Sequence, residues 1–449
     1  MQQSFWMHRE ELEFPALRGR RTADAVVVGG GMTGLTTAFW LCRAGLRVIL
    51  LEADKLLCGA SSRCAGIVSA AGTPAYARLE KTGGTALSSA YAQTQMAALH
   101  SLREMARQQG SGSGWQESEA QIIADSAEQA KLLEKEAEAM QRAGLAAGFS
   151  HATQCPFPAE GVLRVGNMAT LHPLRYFRYI ADLAVRQGVK IFEHSRVISL
   201  ETNLAYTERG SVTAPYIIVA TGFPIINMPG WYFARMTQSQ SWLIPVEENV
   251  KFEGLFLAAD GRYALRKLRD GALFQLNGGR IGDDSCMEAR GVFDEVYAPL
   301  LGCGKANNLY AGIEAHTADG LPYIGPYSAK TPNLFVAAGY GGRGLLGSMV
   351  AAQAISAHVL GLHAGEYHIY SAQRKGQGKL APTLAGRYLR GLLTRPSAPR
   401  CPHMGCRLTY NAQERIWECP CHGSRFSDIG RVINAPAVHD AKVQHGRRG

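Results

Sequence analysis

The chain has 449 residues, 46% of them hydrophobic and 19% charged, a composition that fits about two to four globular domains and excludes a disordered or fibrous chain. Its net charge of +10 sits in the tail, where residues 371–449 hold 14 Lys/Arg against four Asp/Glu, leaving the body with 33 of each sign. No apolar run of about 18 residues occurs and the N-terminal stretch lacks an apolar signal core, so neither a membrane span nor export is expected, and the location expected is the cytoplasm.

In chain order, Arg20-Arg21 precedes an apolar run that reads as a strand rather than as an export signal. Val26 to Val28 suit a buried parallel strand, and Gly29, Gly31 and Gly34 follow at G-x-G-x-x-G spacing. A helix from there to Gly45 and a strand from Val48 to Leu51 end at Glu52, 21 residues after Gly31. The three glycines serve different ends, namely the tight turn, backbone approach to a pyrophosphate, and close packing of helix on strand. The helix N-terminus offers free N–H groups to phosphates, and an acid at the strand tip can hold a ribose. The pattern therefore predicts a dinucleotide site; the plain alternative is a βαβ unit that binds nothing.

Residues 59–69, "GASSRCAGIVS", are small enough to run along a flat cofactor. Residues 85–143 read as helical with a break at Gly110 to Gly114. A helix is expected from about Pro173, then two strands, then a buried parallel strand over Ala214 to Gly222. Residues 225–317 are β-rich, with a hairpin turn at Asp270-Gly271. Another strand, a second glycine turn and a long helix follow over 331–361, then a Gly/Pro/Arg linker over about 366–400. Cys42, Cys58, Cys64, Cys155, Cys286 and Cys303 are scattered and read mostly as small buried hydrophobes. Cys401, Cys406, Cys419 and Cys421 crowd beside His403 and His422, a density that suggests a metal site. A basic tail can hold nucleic acid, but interleaved cysteines favour a linker or a docking face for an acidic redox partner.

The chain over roughly 20–365 resembles the D-amino-acid oxidase superfamily of FAD enzymes, which contains glycine and sarcosine oxidases. The resemblance rests on the glycine fingerprint with Glu52, "GASSRCAGIVS", "ATG" at Ala220 to Gly222, "TADGLPYIGP" at Thr317 to Pro326, and "AAGYGGRG" at Ala337 to Gly344. It implies FAD held by Gly29, Gly31, Met32, Thr33, Gly34, Glu52, Ser61, Ser62, Arg63, Val197, Thr221 and Gly222, with Gly342, Arg343, Gly344 and Leu345 near the isoalloxazine. The helix starting near Gly344 would aim its positive end at the flavin pyrimidine. Some sarcosine-oxidase relatives attach FAD through a cysteine where this chain has Gly312, so the FAD is expected to be non-covalent. They also carry a lysine where this chain has Leu346, which argues against an N-methylglycine-like substrate.

"CPHMGC" and "CPCHGSRF" resemble the two boxes of a Rieske iron–sulfur domain. By position this implies a [2Fe–2S] cluster on Cys401, His403, Cys419 and His422, a Cys406–Cys421 disulfide, and a covering loop at Pro436. A structural zinc site on the same side chains is the alternative. The module is minimal, with no strands expected before Cys401, and would lean on the flavoprotein body.

The fold expected is α/β: a Rossmann-like FAD-binding domain (1–75, 160–224, 318–365) with an inserted α+β substrate domain (76–159, 225–317). A basic linker (366–397) and a small all-β Rieske-type module (398–449) complete it. The function expected is oxidation of a C–N bond of a small amine or amino acid. Hydride would pass to FAD, and electrons from there to the cluster and on to an external acceptor, an acidic redox protein or a quinone. Two readings compete: an oxidase that uses oxygen with a structural or sensory cluster, and a flavin electron carrier without a small substrate. Arg343, Tyr263 and Arg266 are the candidates for holding substrate; His172 and His316 are read as structural. Neither nucleic acid nor a membrane span is expected.

Overall fold

The computed structural model describes residues 4–6, 13–151, 155–247, 250–282, 289–362, 365–374, 380–393, 398–412 and 414–443. Cys286 lies outside them, as do residues 375–379 and 394–397 of the linker and 413 and 444–449 of the cluster module.

The strand Ala25–Val28 is wholly buried at the middle of a six-stranded sheet. It pairs in parallel with Val48–Leu51 on one side and Tyr216–Gly222 on the other. Lys190–Phe192 and Thr331–Ala338 extend the sheet in parallel, and Tyr323–Ser328 closes one edge antiparallel. Helices cover such a sheet on its faces. Met32–Arg43 packs against Pro173–Gln187 and Gly344–Val359. Gly45, at φ +96°, takes a left-handed conformation just beyond the first helix.

A nine-stranded sheet forms the second layer. Its order is Tyr310–Thr317, Met236–Val246, Ala272–Arg280, Tyr263–Lys267, Leu255–Ala258, Gln116–Ala124, Gly161–Thr170 and Ile67–Val68, with Ala147–Ser150 added on Gly161–Thr170. Leu243, Leu273 and Tyr310 turn one face to the main core. Trp242, Ile244, Phe274 and Tyr263 turn the other to a separate core closed by Phe293 and Tyr297. The hairpin turns at Asp270-Gly271 as expected, with Gly271 at φ +100°.

Three elements differ from the sequence reading. Gln116–Ala124 is a strand within the stretch read as helical; only its Ile-Ile-Ala end is continuously buried, and pairing with Gly161–Thr170 and Leu255–Ala258 decides its form. Gly161–Thr170, grouped by sequence with the cofactor-binding pieces, belongs to this large sheet. The stretch read as a linker contains a helix, Ala381–Leu393, whose Ala, Leu and Arg content favours that form. Of the scattered cysteines among the described residues only Cys42 is buried; Cys58, Cys64, Cys155 and Cys303 are half-buried.

The cluster module is a four-stranded antiparallel sheet, Thr409–Asn411, Ile416–Glu418, Arg425–Ser427 and Val432–Asn434. Beneath it Arg425, 1% exposed, pairs with Glu414 and with Glu418. The 381–393 helix runs up to the module so tightly that a Cβ on Gly391 would lie 2.7 Å from Cys421 Sγ.

Candidate functional site

The first glycine turn leaves no room for side chains. A Cβ at Gly29 would lie 2.5 Å from Ala220 O, and one at Gly34 would lie 1.8 Å from Gly29 O. Gly31 starts the helix Met32–Arg43 without a side-chain cap. Ser61 Oγ accepts the Met32 N–H at 2.9 Å, so the small-residue loop closes over the helix N-terminus. Glu52 ends its strand as expected. Its carboxylate accepts the Gly30 N–H at 2.6 Å and the Asp54 N–H at 2.9 Å, and burial pushes its pKa up. Ser195, two residues before Val197, donates its N–H to Glu52 O at 2.8 Å, which brings the buried Val197 to the same end of the sheet.

The remaining predicted residues have these contacts. Ser62 is buried and donates to Cys58 O and Gly59 O. Arg63 Nη1 donates to Ala311 O at 3.1 Å, and Thr221 Oγ1 to Phe223 O at 2.6 Å, just before Gly222 at φ +75°. A Cβ at Gly312 would sit 2.4 Å from Arg63 O, so a larger residue does not fit there. The second turn meets the first: Thr33 Oγ1 donates to Tyr340 OH at 3.1 Å, and a Cβ at Gly344 would lie 3.6 Å from Met32 Cε. Gly342, at φ +85°, leads through Arg343 into the helix Gly344–Val359, where Leu345 is buried.

Beside Gly342 the large sheet presents a polar group that the motifs did not single out. Strand periodicity puts Gly312, Glu314 and His316 on one face with Ser239 and Ser241 of the neighbouring strand. Glu314 Oε1 accepts from Gln275 Nε2 at 3.0 Å and Ser241 Oγ at 3.3 Å. His316 Nε2 lies 2.6 Å from Ser239 Oγ and 3.9 Å from Glu314 Oε2. Burial lowers the His316 pKa, Glu314 opposes this, and Arg343 and Arg280 add to it. His316 therefore belongs to this group, although sequence assigned it no role there. His172 caps the helix Pro173–Gln187 by accepting the Arg175 N–H at 3.3 Å.

Two substrate candidates fall elsewhere. Tyr263 and Arg266 lie three residues apart on one strand and so point to opposite faces. Tyr263 is packed among Phe157, Phe274 and Tyr297 on the face turned from the flavin-side core. Arg266, 3% exposed, spends Nη1 on the carbonyls of Ala65, Gly66 and Leu171 at 2.8–3.0 Å. Both are structural. Of the three candidates only Arg343 stands in the turn beside Gly342 and His316.

In the tail, Cys401 and Cys419 are each 1% exposed and their thiols hydrogen-bond one another, which draws the Cys401 thiol down to about 7. The His403 and His422 rings stand 5.1 Å apart, centroid to centroid. Burial lowers their pKa values to about 4 and about 3, so both are neutral near pH 7. Both Nδ1 atoms are buried without a hydrogen-bond partner. Cys406 and Cys421 form a disulfide between the two loops.

The module's loops rest on the body. His403 Nε2 is 2.7 Å from Asn227 Oδ1, and the Phe233 ring stands edge-on to His403 and His422 at 5.9 and 5.5 Å. Gln238 Nε2 donates to His422 O at 2.7 Å and Ala435 O at 2.9 Å, while its Oε1 accepts from Asn434 Nδ2 at 2.8 Å. Arg196 donates to Val432 O at 3.2 Å. Pro436 follows Ala435 in this docked loop through a cis peptide.

The family model of FAD dependent oxidoreductases matches residues 24–358. The chain belongs to that family. A Rieske [2Fe-2S] domain model matches residues 395–444 of this FAD oxidoreductase. YhfW of Bacillus subtilis (strain 168), named for a Rieske 2Fe-2S iron-sulfur protein, is 24% identical over 98% of this chain and 97% of its own. The cytochrome b6-f complex iron-sulfur subunit 1 of Nostoc sp. is 38% identical over only 47 residues, 10% of this chain and 26% of that subunit. The fold is similar to glycine oxidase from Geobacillus kaustophilus (TM-score 0.65, 18% identity, 79% of this chain and 100% of that one). It is equally similar to L-proline dehydrogenase from P. horikoshii (TM-score 0.65, 16% identity, 81% and 100%).

The cofactors of this FAD oxidoreductase are FAD and a [2Fe–2S] cluster. Its own residues fit both. The glycine turn has no room for a Cβ at Gly29 or Gly34, opens a helix whose N-cap is a glycine with no capping side chain of its own, and is followed by an acid at the next strand tip. Two buried thiols and two neutral imidazoles with orphaned Nδ1 atoms make a donor set of two sulfurs and two nitrogens. Sequence reasoning missed Tyr340, Glu314, Gln238, Asn227 and Phe233. Strand alternation could have found Glu314; the others are defined only by tertiary contact.

Proposed function

We propose that this oxidoreductase oxidises a C–N bond of a small amine or amino acid and passes the electrons through its cluster to an external acceptor. Bound FAD would accept hydride from the substrate, and the cluster would take electrons singly. The observation that carries the reading is the strand Met236–Val246. Gln238 on one face holds the cluster loops, while Ser239 and Ser241 on the other hold His316 and Glu314 beside Gly342. Gln238 to Ser241 spans about 10 Å of extended chain, so one short strand segment joins the two groups.

In this reading Gly29, Gly31, Met32, Thr33, Gly34, Glu52, Ser61, Ser62, Arg63, Val197, Thr221 and Gly222 hold FAD non-covalently, with Gly342, Gly344 and Leu345 near its ring. Arg343 orients substrate at the second turn. Cys401, His403, Cys419 and His422 hold the cluster, braced by the Cys406–Cys421 pair. The cofactor-binding pieces and the inserted substrate domain act as one unit, and the tail module serves it. The acceptor would be an acidic redox protein or a quinone, met in the cytoplasm; no helix among the described residues is long and apolar enough to cross a membrane.

The test is an anaerobic titration of the holoprotein with a panel of amines and amino acids, followed by peroxide measurement in air. The reading predicts flavin bleaching by at least one of them and little peroxide per substrate consumed. Stoichiometric peroxide would make the protein an oxidase. Bleaching only by a reduced protein partner would make it a carrier.

A further inference from the structure

The two imidazoles of the cluster site have different surroundings. His403 Nε2 faces Asn227 Oδ1 at 2.7 Å, and Asn227 belongs to the flavoprotein body, in the loop that follows the strand Tyr216–Gly222. Among the described residues His422 makes no such side-chain bond; its ring meets Phe233 and His403, and its main-chain oxygen is held by Gln238. An amide oxygen can only accept, so Nε2 carries the proton, and the buried, partnerless Nδ1 of His403 is left as a bare lone pair. A bond from the outer N–H of a ligand imidazole to an acceptor fixes the ring and raises its basicity toward the metal. A more basic ligand favours the oxidised iron.

We propose that Asn227 is a positioning residue for the cluster: through His403 it fixes the ring tautomer, lowers the cluster's reduction potential and makes the two histidines inequivalent. The same bond uses up the outer N–H of His403, so an acceptor cannot take up that proton while the module is docked. The inference rests on His403 being a cluster ligand, as in the proposed function.

The test uses anaerobically purified holoprotein with FAD and iron per chain measured, comparing the wild type with Asn227→Leu and Asn227→Asp. The midpoint potential is read by dye-mediated titration at one pH, and nitrogen couplings of the reduced cluster by pulsed EPR. Asn227→Leu removes the acceptor and is expected to raise the potential and shift one of the two nitrogen couplings. Asn227→Asp supplies a stronger acceptor and is expected to lower the potential. Unchanged potentials and couplings, or shifts of one sign in both variants, would overturn the proposal. Where the Leu variant loses its cluster, the Asp variant decides by the sign of its shift alone. Opposite shifts in a protein whose flavin never reduces its cluster would sink the relay and leave the role of Asn227 intact. A chain that takes up no iron overturns both.

Discussion

Gln238 is the clamp between body and cluster module, and replacing it with methionine keeps its volume while removing every polar atom of its head group. Three hydrogen bonds vanish: those to His422 O, Ala435 O and from Asn434 Nδ2, at 2.7, 2.9 and 2.8 Å. Gln238 is 6% exposed, so water does not readily replace them. At about 0.5–1.5 kcal/mol net for each bond, the docked state loses about 1.5–4.5 kcal/mol. Since about 1.4 kcal/mol is tenfold, the undocked population rises by roughly 10- to 1,000-fold. Hydrogen–deuterium exchange on the holoprotein should show faster exchange in peptides spanning 421–436, with the central strands Ala25–Val28 and Val48–Leu51 unaffected. Unchanged exchange at 421–436 in Gln238→Met would refute the clamp.

Other changes have separate readouts. Gly34→Ala places a methyl group 1.8 Å from Gly29 O, an overlap that backbone must move to relieve; bound FAD per chain should fall to a small fraction, and full occupancy would contradict the cradle. Arg425→Met leaves Glu414 and Glu418 buried without their cation and should cost about 3–5 kcal/mol. Thermal unfolding and iron content should both drop while FAD is retained. Burial lowers the His316 pKa from the usual histidine value of 6.5. The unfolded chain therefore takes up a proton on this side chain more readily than the folded protein as pH falls through that value, so stability falls as pH drops below about 6.5. Denaturant midpoints from pH 7 to 5 should fall less steeply in His316→Gln; equal slopes would remove His316 from the account.

What the sequence made legible was local. The glycine fingerprint, Glu52 and the two Cys/His boxes each carry their chemistry within a few neighbouring residues, and the structure places them at a strand tip, a helix start and two facing loops. What it concealed depends on distant contacts. Asn227, Phe233 and Gln238 look like ordinary polar and aromatic residues until the module, some 180 positions later, docks on them. Gln116–Ala124 lacks strand alternation in its first half and owes its form to its neighbours. Tyr263 and Arg266 illustrate a subtler loss: their odd spacing on a strand already forbids both from facing one substrate, the strand's orientation turns Tyr263 away from the flavin side, and Arg266 on the other face is committed to the carbonyls of Ala65, Gly66 and Leu171.

The relay itself is tested most directly by photoreducing the flavin anaerobically in the holoprotein and following flavin absorbance and the cluster's EPR signal together. The account predicts cluster reduction that keeps pace with flavin reoxidation, at a rate independent of protein concentration. A flavin that stays reduced beside an oxidised cluster, or a rate that scales with concentration, would contradict it.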